Sequence, residues 1–539
     1  MLKTNFNQTS RTRGGLYGLV VVVWLALGLV LSGCGGESTP LTLATATPGP
    51  TTAAATATTA AAAVPTTAAA TTAAAVPTTA AATATTATTA APATTRAATT
   101  AVAATTAATG TTPAATTGSG TPGSVADNVP TVKVPDSARQ VVNAISKQTE
   151  KTRSLTFKTP VETNFMTRAD LTKYQQAEFT KNNPPENIAR DEKILKVFGF
   201  APKNFDFAKT YIDLLNEQVI GFYDTETKKL YIITDTDPSK VDPLAKFTAE
   251  HELTHALQDQ FFDLQNYSPT RKPEDKEWSD DASTARLALI EGDAVQSQLN
   301  WISGGNLSQA ELQELIKSSQ SSNSNVLDNA PLILSEGLLF PYNDGNVFVK
   351  SLYDKGGWDA VNKAYTDYPP KSTAQILHPI KYQNKVEPVK INLPSITGIL
   401  GSGWKSLDIN TNGELAARIW LQTGMSNFKD SASKTAASRA VKGWAGDRYE
   451  AVENAQGQVG LVWRTQWDSE AEATDFFNAA SGSVKNLFGV SGNGTGTDLK
   501  KSWSNADQDV SLIRKGKEVL VQVLPKGTGV DKIASSLGF

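Results

Sequence analysis

At 539 residues the chain is long enough for two or three domains, and a hydrophobic content of 40% allows sizeable folded cores. A formal net charge of −3 with no Lys/Arg-rich run excludes a dedicated nucleic-acid binder, whose basic excess would cluster on one face. The single cysteine, Cys34, excludes an intramolecular disulfide framework and any cysteine-based zinc finger, so a bound metal must be held by His, Asp or Glu.

Residues 1–34 read as an export address. Lys3, Arg11 and Arg13 form a positive start, and an apolar run from Leu16 to Leu31 follows. The run ends in Leu31-Ser32-Gly33-Cys34, which resembles the bacterial lipobox. That resemblance implies cleavage before Cys34 and a diacylglycerol on its sulfur, hence a lipid anchor holding the protein on the extracytoplasmic face of the cell membrane. No other apolar run is long enough to span a bilayer. Residues 35–126 are expected to be a disordered tether: from Ser38 to Gly123 nearly every residue is Thr, Ala, Pro or Gly, and Arg96 is the one charged side chain. Such a tract lacks the apolar side chains that would offset its folding entropy, and coil scaling gives it a reach of roughly 50 Å.

Residues 127–398 are expected to form the main domain. Apolar spacing at Val141, Val142 and Ile145, and again at Leu171, Tyr174 and Phe179, predicts helices, with an extended segment Leu155 to Phe165 between them. Further helices are predicted from Ile188 to Val197 and from Phe205 to Leu215. The period then changes to that of a β-hairpin, Val219 to Tyr223 and Leu230 to Ile233, joined by the polar turn Asp224 to Lys229. Asp242 as N-cap and Pro243 at the first position open a helix through about Leu264. Helices follow from Asp281 to Leu299, Gln309 to Ile316, Asn346 to Tyr353 and Trp358 to Tyr365.

Residues 399–539 read as a smaller α+β domain. A capping box at Thr411 and Glu414 predicts a helix start. Strand pairs are predicted at Tyr449 to Val452 with Val459 to Trp463, and at Val510 to Ile513 with Val519 to Val523; helices are predicted at Glu470 to Ala480 and Val530 to Leu537. Gly446-Asp447-Arg448-Tyr449 suggests a turn with an Asp-Arg pair. Of Trp404, Trp420, Trp444, Trp463, Trp467 and Trp503, most are expected in the core, given the area a tryptophan buries; carbohydrate or wall binding is the alternative.

The chemistry concentrates in His251-Glu252-Leu253-Thr254-His255. Histidines four apart on a helix lie one turn apart on one face and can reach a single cation. A zinc ion so held lowers the pKa of a bound water, and the carboxylate of Glu252 stands beside it to take the proton. The chain has only three histidines, and chance would produce this pattern in about one such sequence per thousand. A third ligand is needed. Glu291, one of an acidic pair with Asp293 in the otherwise apolar run Leu287 to Ala294, is the choice, because a buried carboxylate must be paired or metal-bound. Gly292 and Ala294 would let two helices approach around the metal, and Asp293 or Asp259 would hydrogen-bond a ligand imidazole.

These residues resemble the gluzincin metallopeptidases, and more closely the peptidase MA-like group of exported bacterial proteins. The resemblance rests on Gly221-Phe222-Tyr223-Asp224, His251 to Gln260, Glu291 to Ala294 and Tyr342-Asn343-Asp344-Gly345, and covers about residues 135 to 385. Val295 stands four after Glu291, where an acidic residue would complete a Glu-x-x-x-Asp arrangement. The resemblance implies an α+β architecture, with a mainly helical zincin-type domain carrying a small hairpin or sheet ahead of the C-terminal α+β domain. It implies substrate added as a β-strand along Val219 to Tyr223 or Leu230 to Ile233. It also implies a His or Tyr donor for the reaction's oxyanion, for which His378 and then Tyr342 are the candidates.

The expected protein is therefore a membrane-anchored, monomeric zinc metallopeptidase, one Zn²⁺ per chain, acting on peptide or protein substrate and not on nucleic acid. Its alternative is an inactive zincin scaffold that binds a partner protein or cell-wall polymer. Metal-dependent hydrolysis of something other than a peptide is a third reading.

Overall fold

The computed structural model describes residues 130–539, apart from 236, 269–277, 322–323 and 493, together with one strand at residues 19–23. Cys34 and the expected tether lie outside the described residues. Among the described residues no helix is long and apolar enough to cross a membrane.

The N-terminal part is mainly helical. Helix α1 (Asp136–Arg153) buries Val142 and Ile145 of the predicted spacing together with Ala138, while Val141 is half-buried. Helices α2 (Pro185–Phe198) and α3 (Phe207–Gln218) lead into a four-stranded sheet of order β1-β3-β4-β2, from β1 (Leu19–Val23), β2 (Glu162–Met166), β3 (Val219–Asp224) and β4 (Lys229–Ile233). The predicted hairpin is present: β3 and β4 pair antiparallel, and Asp224 closes the turn by accepting from the Glu226 N–H at 2.7 Å and the Thr227 hydroxyl at 2.9 Å. Only Glu162–Met166 of the predicted extended segment is strand, parallel to β4. Since β4 is thereby flanked on both sides, the outer edge of the hairpin belongs to β3, and β1 pairs antiparallel along it.

Helix α4 (Pro243–Phe262) starts where predicted, with the Asp242 carboxylate accepting from the Ala245 N–H at 2.8 Å. From Phe247 to Asp259 every side chain is buried, so it is a core helix. Helix α5 (Asp280–Ser303) is capped by Ser279, and α6 (Leu332–Thr366) runs against it. Two shorter helices were predicted where α6 lies. The helix begins upstream, includes Tyr342 to Gly345, and breaks only at Gly356 and Gly357. Pro341 and Gly345 look like breakers, but one proline removes a single helical hydrogen bond and Gly345 serves contact. A Cβ on Gly292 would stand 2.2 Å from the Gly345 carbonyl oxygen, and one on Gly345 would stand 2.3 Å from that of Ala288. The close approach expected of Gly292 is therefore toward α6.

The C-terminal part carries a seven-stranded antiparallel sheet of order β5-β6-β7-β11-β10-β9-β8. Its strands are β5 (Trp404–Asn410), β6 (Trp444–Asn454), β7 (Val459–Trp467), β8 (Thr495–Gly496), β9 (Lys500–Ser504), β10 (Gln508–Lys515) and β11 (Glu518–Pro525). Both predicted strand pairs are found, as β6 with β7 and β10 with β11. The capping box is not formed. Helix α7 (Gly413–Thr423) is capped from β6: the Asp447 carboxylate accepts from the Asn412 and Gly413 N–H groups at 2.8 and 2.9 Å. Gly446 to Tyr449 accordingly lies in a strand and not in a turn.

Trp420, Trp444, Trp463, Trp467 and Trp503 are buried, whereas Trp404 is half-buried. Nor is residues 399–539 a separate globule. Phe198 of α2 packs edge-on against Tyr449 and Trp463, with ring centroids 5.0 and 5.8 Å away, and its carbonyl accepts from Trp420 Nε1 at 2.8 Å. One continuous apolar core runs from α2 through α5 and α6 into this sheet. Burying the Phe198 ring against this sheet is worth about 2–3 kcal/mol.

Candidate metal centre

His251 and His255 project from one face of α4 with ring centroids 4.5 Å apart and planes 82° from each other. Glu291 comes from α5, its Oε2 lying 3.2 Å from His251 Nε2 and 3.3 Å from His255 Nε2. All three side chains are buried, and among the described residues they alone form a group of ligand atoms within 4.8 Å of one another. Sequence spacing and spatial position agree on the same three residues.

Two glutamines decide what these nitrogens can do. Gln298 Oε1 is 3.0 Å from His251 Nδ1, and Gln258 Oε1 is 2.8 Å from His255 Nδ1. The Gln298 amide nitrogen donates to the Phe247 carbonyl and that of Gln258 to the Ile290 carbonyl, both at 2.9 Å. Turning either amide around would set oxygen against oxygen, so each glutamine must present its acceptor to the imidazole. Each Nδ1 is then the protonated nitrogen, and each Nε2 lone pair faces the carboxylate. Three buried acceptors converging in this way repel one another unless a cation or protons stand between them. Two neutral imidazoles and a carboxylate are a donor set suited to zinc.

The expected partners of the imidazoles are elsewhere. Asp293 accepts from the buried Arg153 guanidinium at 2.7 Å and from the Tyr365 hydroxyl at 2.9 Å; Asp259 accepts from the Tyr223 hydroxyl and the Lys228 ammonium. These carboxylates tie α1, α6 and the hairpin turn to the two central helices. Gln258 and Gln298 were missed because a neutral amide carries no electrostatic signature, although Gln298 stands two turns after Glu291 on one face of α5. Replacing Gln298 by Leu should lower metal affinity by about 10–100-fold. A zinc competition titration checks this, and an affinity within twofold of the parent would remove the orienting role.

The two glutamates flanking His251 are treated differently. Glu250 accepts from the Ser297 hydroxyl at 2.7 Å, and burial raises its carboxyl to about 8 despite that bond. Glu252 is also buried, with its Cγ against β3 where Gly221 has no side chain; a Cβ there would lie 2.4 Å from Thr248 Cγ2. Tyr342 stacks on His251, centroids 6.1 Å apart, and hydrogen-bonds Glu291. Burial and then the charges of Glu291 and Glu252 push its hydroxyl well above the usual tyrosine value, so it stays protonated and able to donate. His378 is not brought into the cluster: it sits between two short helices, and its Nε2 is 2.6 Å from Glu414 Oε1. Of the two expected oxyanion donors, only Tyr342 stands beside the imidazoles.

Glu291 and Tyr342 also line a cavity of about 400 Å³ that runs between α2, α3, α5, α6 and the first turn of α7. The convergent side chains thus have an adjoining space for a ligand.

A family model described as a domain of unknown function (DUF8575) matches residues 405–534, from β5 into the last helix. No curated protein and no solved structure matches the chain.

Proposed function

We propose that the protein is a zinc metallopeptidase with a zincin-type catalytic domain, anchored on the extracytoplasmic face of the membrane through a lipidated Cys34. The observation that carries the reading is the convergence of two oriented Nε2 lone pairs and the Glu291 carboxylate, with Glu252 and the Tyr342 hydroxyl adjoining. Three protein ligands leave a coordination position open. A zinc ion bound there would supply a Lewis acid that brings the pKa of a coordinated water toward neutrality. Glu252 would take a proton from the attacking water and return it to the leaving amine. Tyr342, kept protonated by its surroundings, donates to the oxygen of the attacked carbonyl as charge develops on it. Gln258 and Gln298 hold the imidazoles in the required tautomer throughout.

The substrate is proposed to lie extended along β3. In support, β3 is the hairpin's outer edge, it accepts an antiparallel partner in β1, and it approaches Glu252 at Gly221. On this reading, cleavage before Cys34 removes β1 and opens that edge.

The test is zinc analysis of the mature protein, cleaved before Cys34, followed by digestion of casein. One zinc ion per chain and cleavage that a chelator stops and added zinc restores are expected. Stoichiometric zinc with no cleavage of any unfolded protein would instead favour the inactive binding scaffold.

A further inference from the structure

The cavity beside Glu291 has a second end whose chemistry differs from the first. One face of α5 forms its floor: Asp281, Thr284, Leu287 and Glu291 recur at intervals of three and four residues and all line the space. The interval from Asp281 to Glu291 covers roughly 15 Å of helix. Along that length the walls are apolar, with Phe198, Phe207, Tyr211, Leu338 and Leu415.

At the far end Asp191, Asp280, Asp281 and Asp408 meet, and Arg190 is the one cationic side chain among the lining residues. Arg190 Nε donates to Asp191 Oδ1 at 2.8 Å, Asn410 donates to Asp280 at 2.7 Å, and the Tyr449 hydroxyl donates to Asp408 at 3.0 Å. Asp281 is only 3% exposed. Both hydrogen bonds it accepts, from the Thr373 N–H and hydroxyl, go to Oδ1, which leaves Oδ2 without a donor among the described residues. An unpaired carboxylate oxygen that opens onto a cavity from an otherwise buried side chain is a position for a donor from outside the chain. Burial first, and then the Asp280 and Asp408 charges, raise Asp191 to about 6 even beside Arg190, and burial raises Asp281 to about 7, so a cation entering here draws both carboxyls toward their charged form. These carboxylates are not among the residues grouped closely enough to share one metal ion. Their spread suits a larger organic cation.

We propose that this cavity takes a Lys or Arg side chain of the substrate, carried about two residues from the bond at the metal centre. The proposal rests on the peptidase reading and specifies its substrate as a basic peptide. The lengths are compatible: two extended residues advance about 7 Å, and a Lys or Arg stem that turns along the floor adds a similar distance, which together span the interval between Glu291 and Asp281. The apolar walls cover the methylene stem while the carboxyls receive the charged head.

The test measures binding separately from turnover. The mature Glu252→Gln protein, cleaved before Cys34, is titrated, by fluorescence anisotropy, with a labelled alanine-rich octapeptide carrying one Arg, and with the same peptide carrying norleucine in its place. The Arg peptide should bind about tenfold or more tightly. That ratio should fall toward one when Asp281→Asn is added. Because Asp281 also holds Thr373, Asp280→Asn provides a second variant, with thermal melting to establish that each is folded. Equal binding of the two peptides, or an unchanged ratio in both folded variants, overturns the proposal. In a second arm, zinc-loaded wild-type protein digests a mixed peptide library, and cleavage at a constant offset from Lys or Arg is expected. Cleavage indifferent to basic residues overturns the pocket and retains the peptidase. Arg-selective binding with no cleavage of any peptide retains the pocket for basic peptides and overturns the peptidase.

Discussion

Glu252→Gln should retain zinc and lose about a thousandfold in peptide hydrolysis, the range seen when a positioned general base is removed. The amide is nearly the same size as the carboxylate and, like it, is not one of the three converging ligands, so the metal should stay. What disappears is the acceptor for the water's proton, because an amide does not take one up near neutral pH. His255→Ala makes the contrast. It deletes one of the two oriented Nε2 lone pairs, leaving two ligands, and should lose zinc and hydrolysis together. Elemental analysis and casein digestion on both variants separate the two roles. Unchanged turnover in Glu252→Gln would remove Glu252 from the reaction, and stoichiometric zinc in His255→Ala would place the metal elsewhere.

The second large effect is expected far from any charge. Gly292→Ala puts a methyl group 2.2 Å from the Gly345 carbonyl oxygen, and Gly345→Ala puts one 2.3 Å from that of Ala288. Both obstacles are helix backbone, so no rotamer change relieves them, and α5 and α6 must separate. Overpacking of this kind costs about 1–3 kcal/mol. Gly292 follows Glu291 directly and Gly345 lies one turn after Tyr342, so the displacement reaches the metal centre. Denaturant unfolding should show each variant less stable, and zinc titration should show weaker binding in the same protein. Parent-like stability in both would mean that the two helices are not in backbone contact.

Much of the local structure was legible from short-range rules. The Asp242-Pro243 start of α4, the hairpin with its Asp224 turn, and the stripe of α1 each depend on a few neighbouring residues, and each is present. Local rules failed where a distant partner competed. The Thr411/Glu414 capping box lost to Asp447, which is closer to the first free N–H groups of α7 once β6 is in place, and Glu414 is engaged by His378 instead. The helix expected to start at Asn346 begins instead at Leu332 and continues through Pro341 and Gly345, because packing against α5 outweighs the local penalty.

The same division holds at the site. Two histidines and a glutamate on one helix face follow from helical periodicity alone, and Glu291 followed from the cost of burying a carboxylate without a partner. Those inferences need only the chain's own order. The glutamines beside the imidazoles, the position of Tyr342 next to His251 with His378 held elsewhere by Glu414, and the cavity ending at Asp281 depend on contacts between residues far apart in the chain, which only the packed helices bring together. The amino-acid order thus determined which groups could bind a metal. The tertiary structure decided which nitrogen each imidazole presents, because hydrogen-bond direction is a property of neighbours in space.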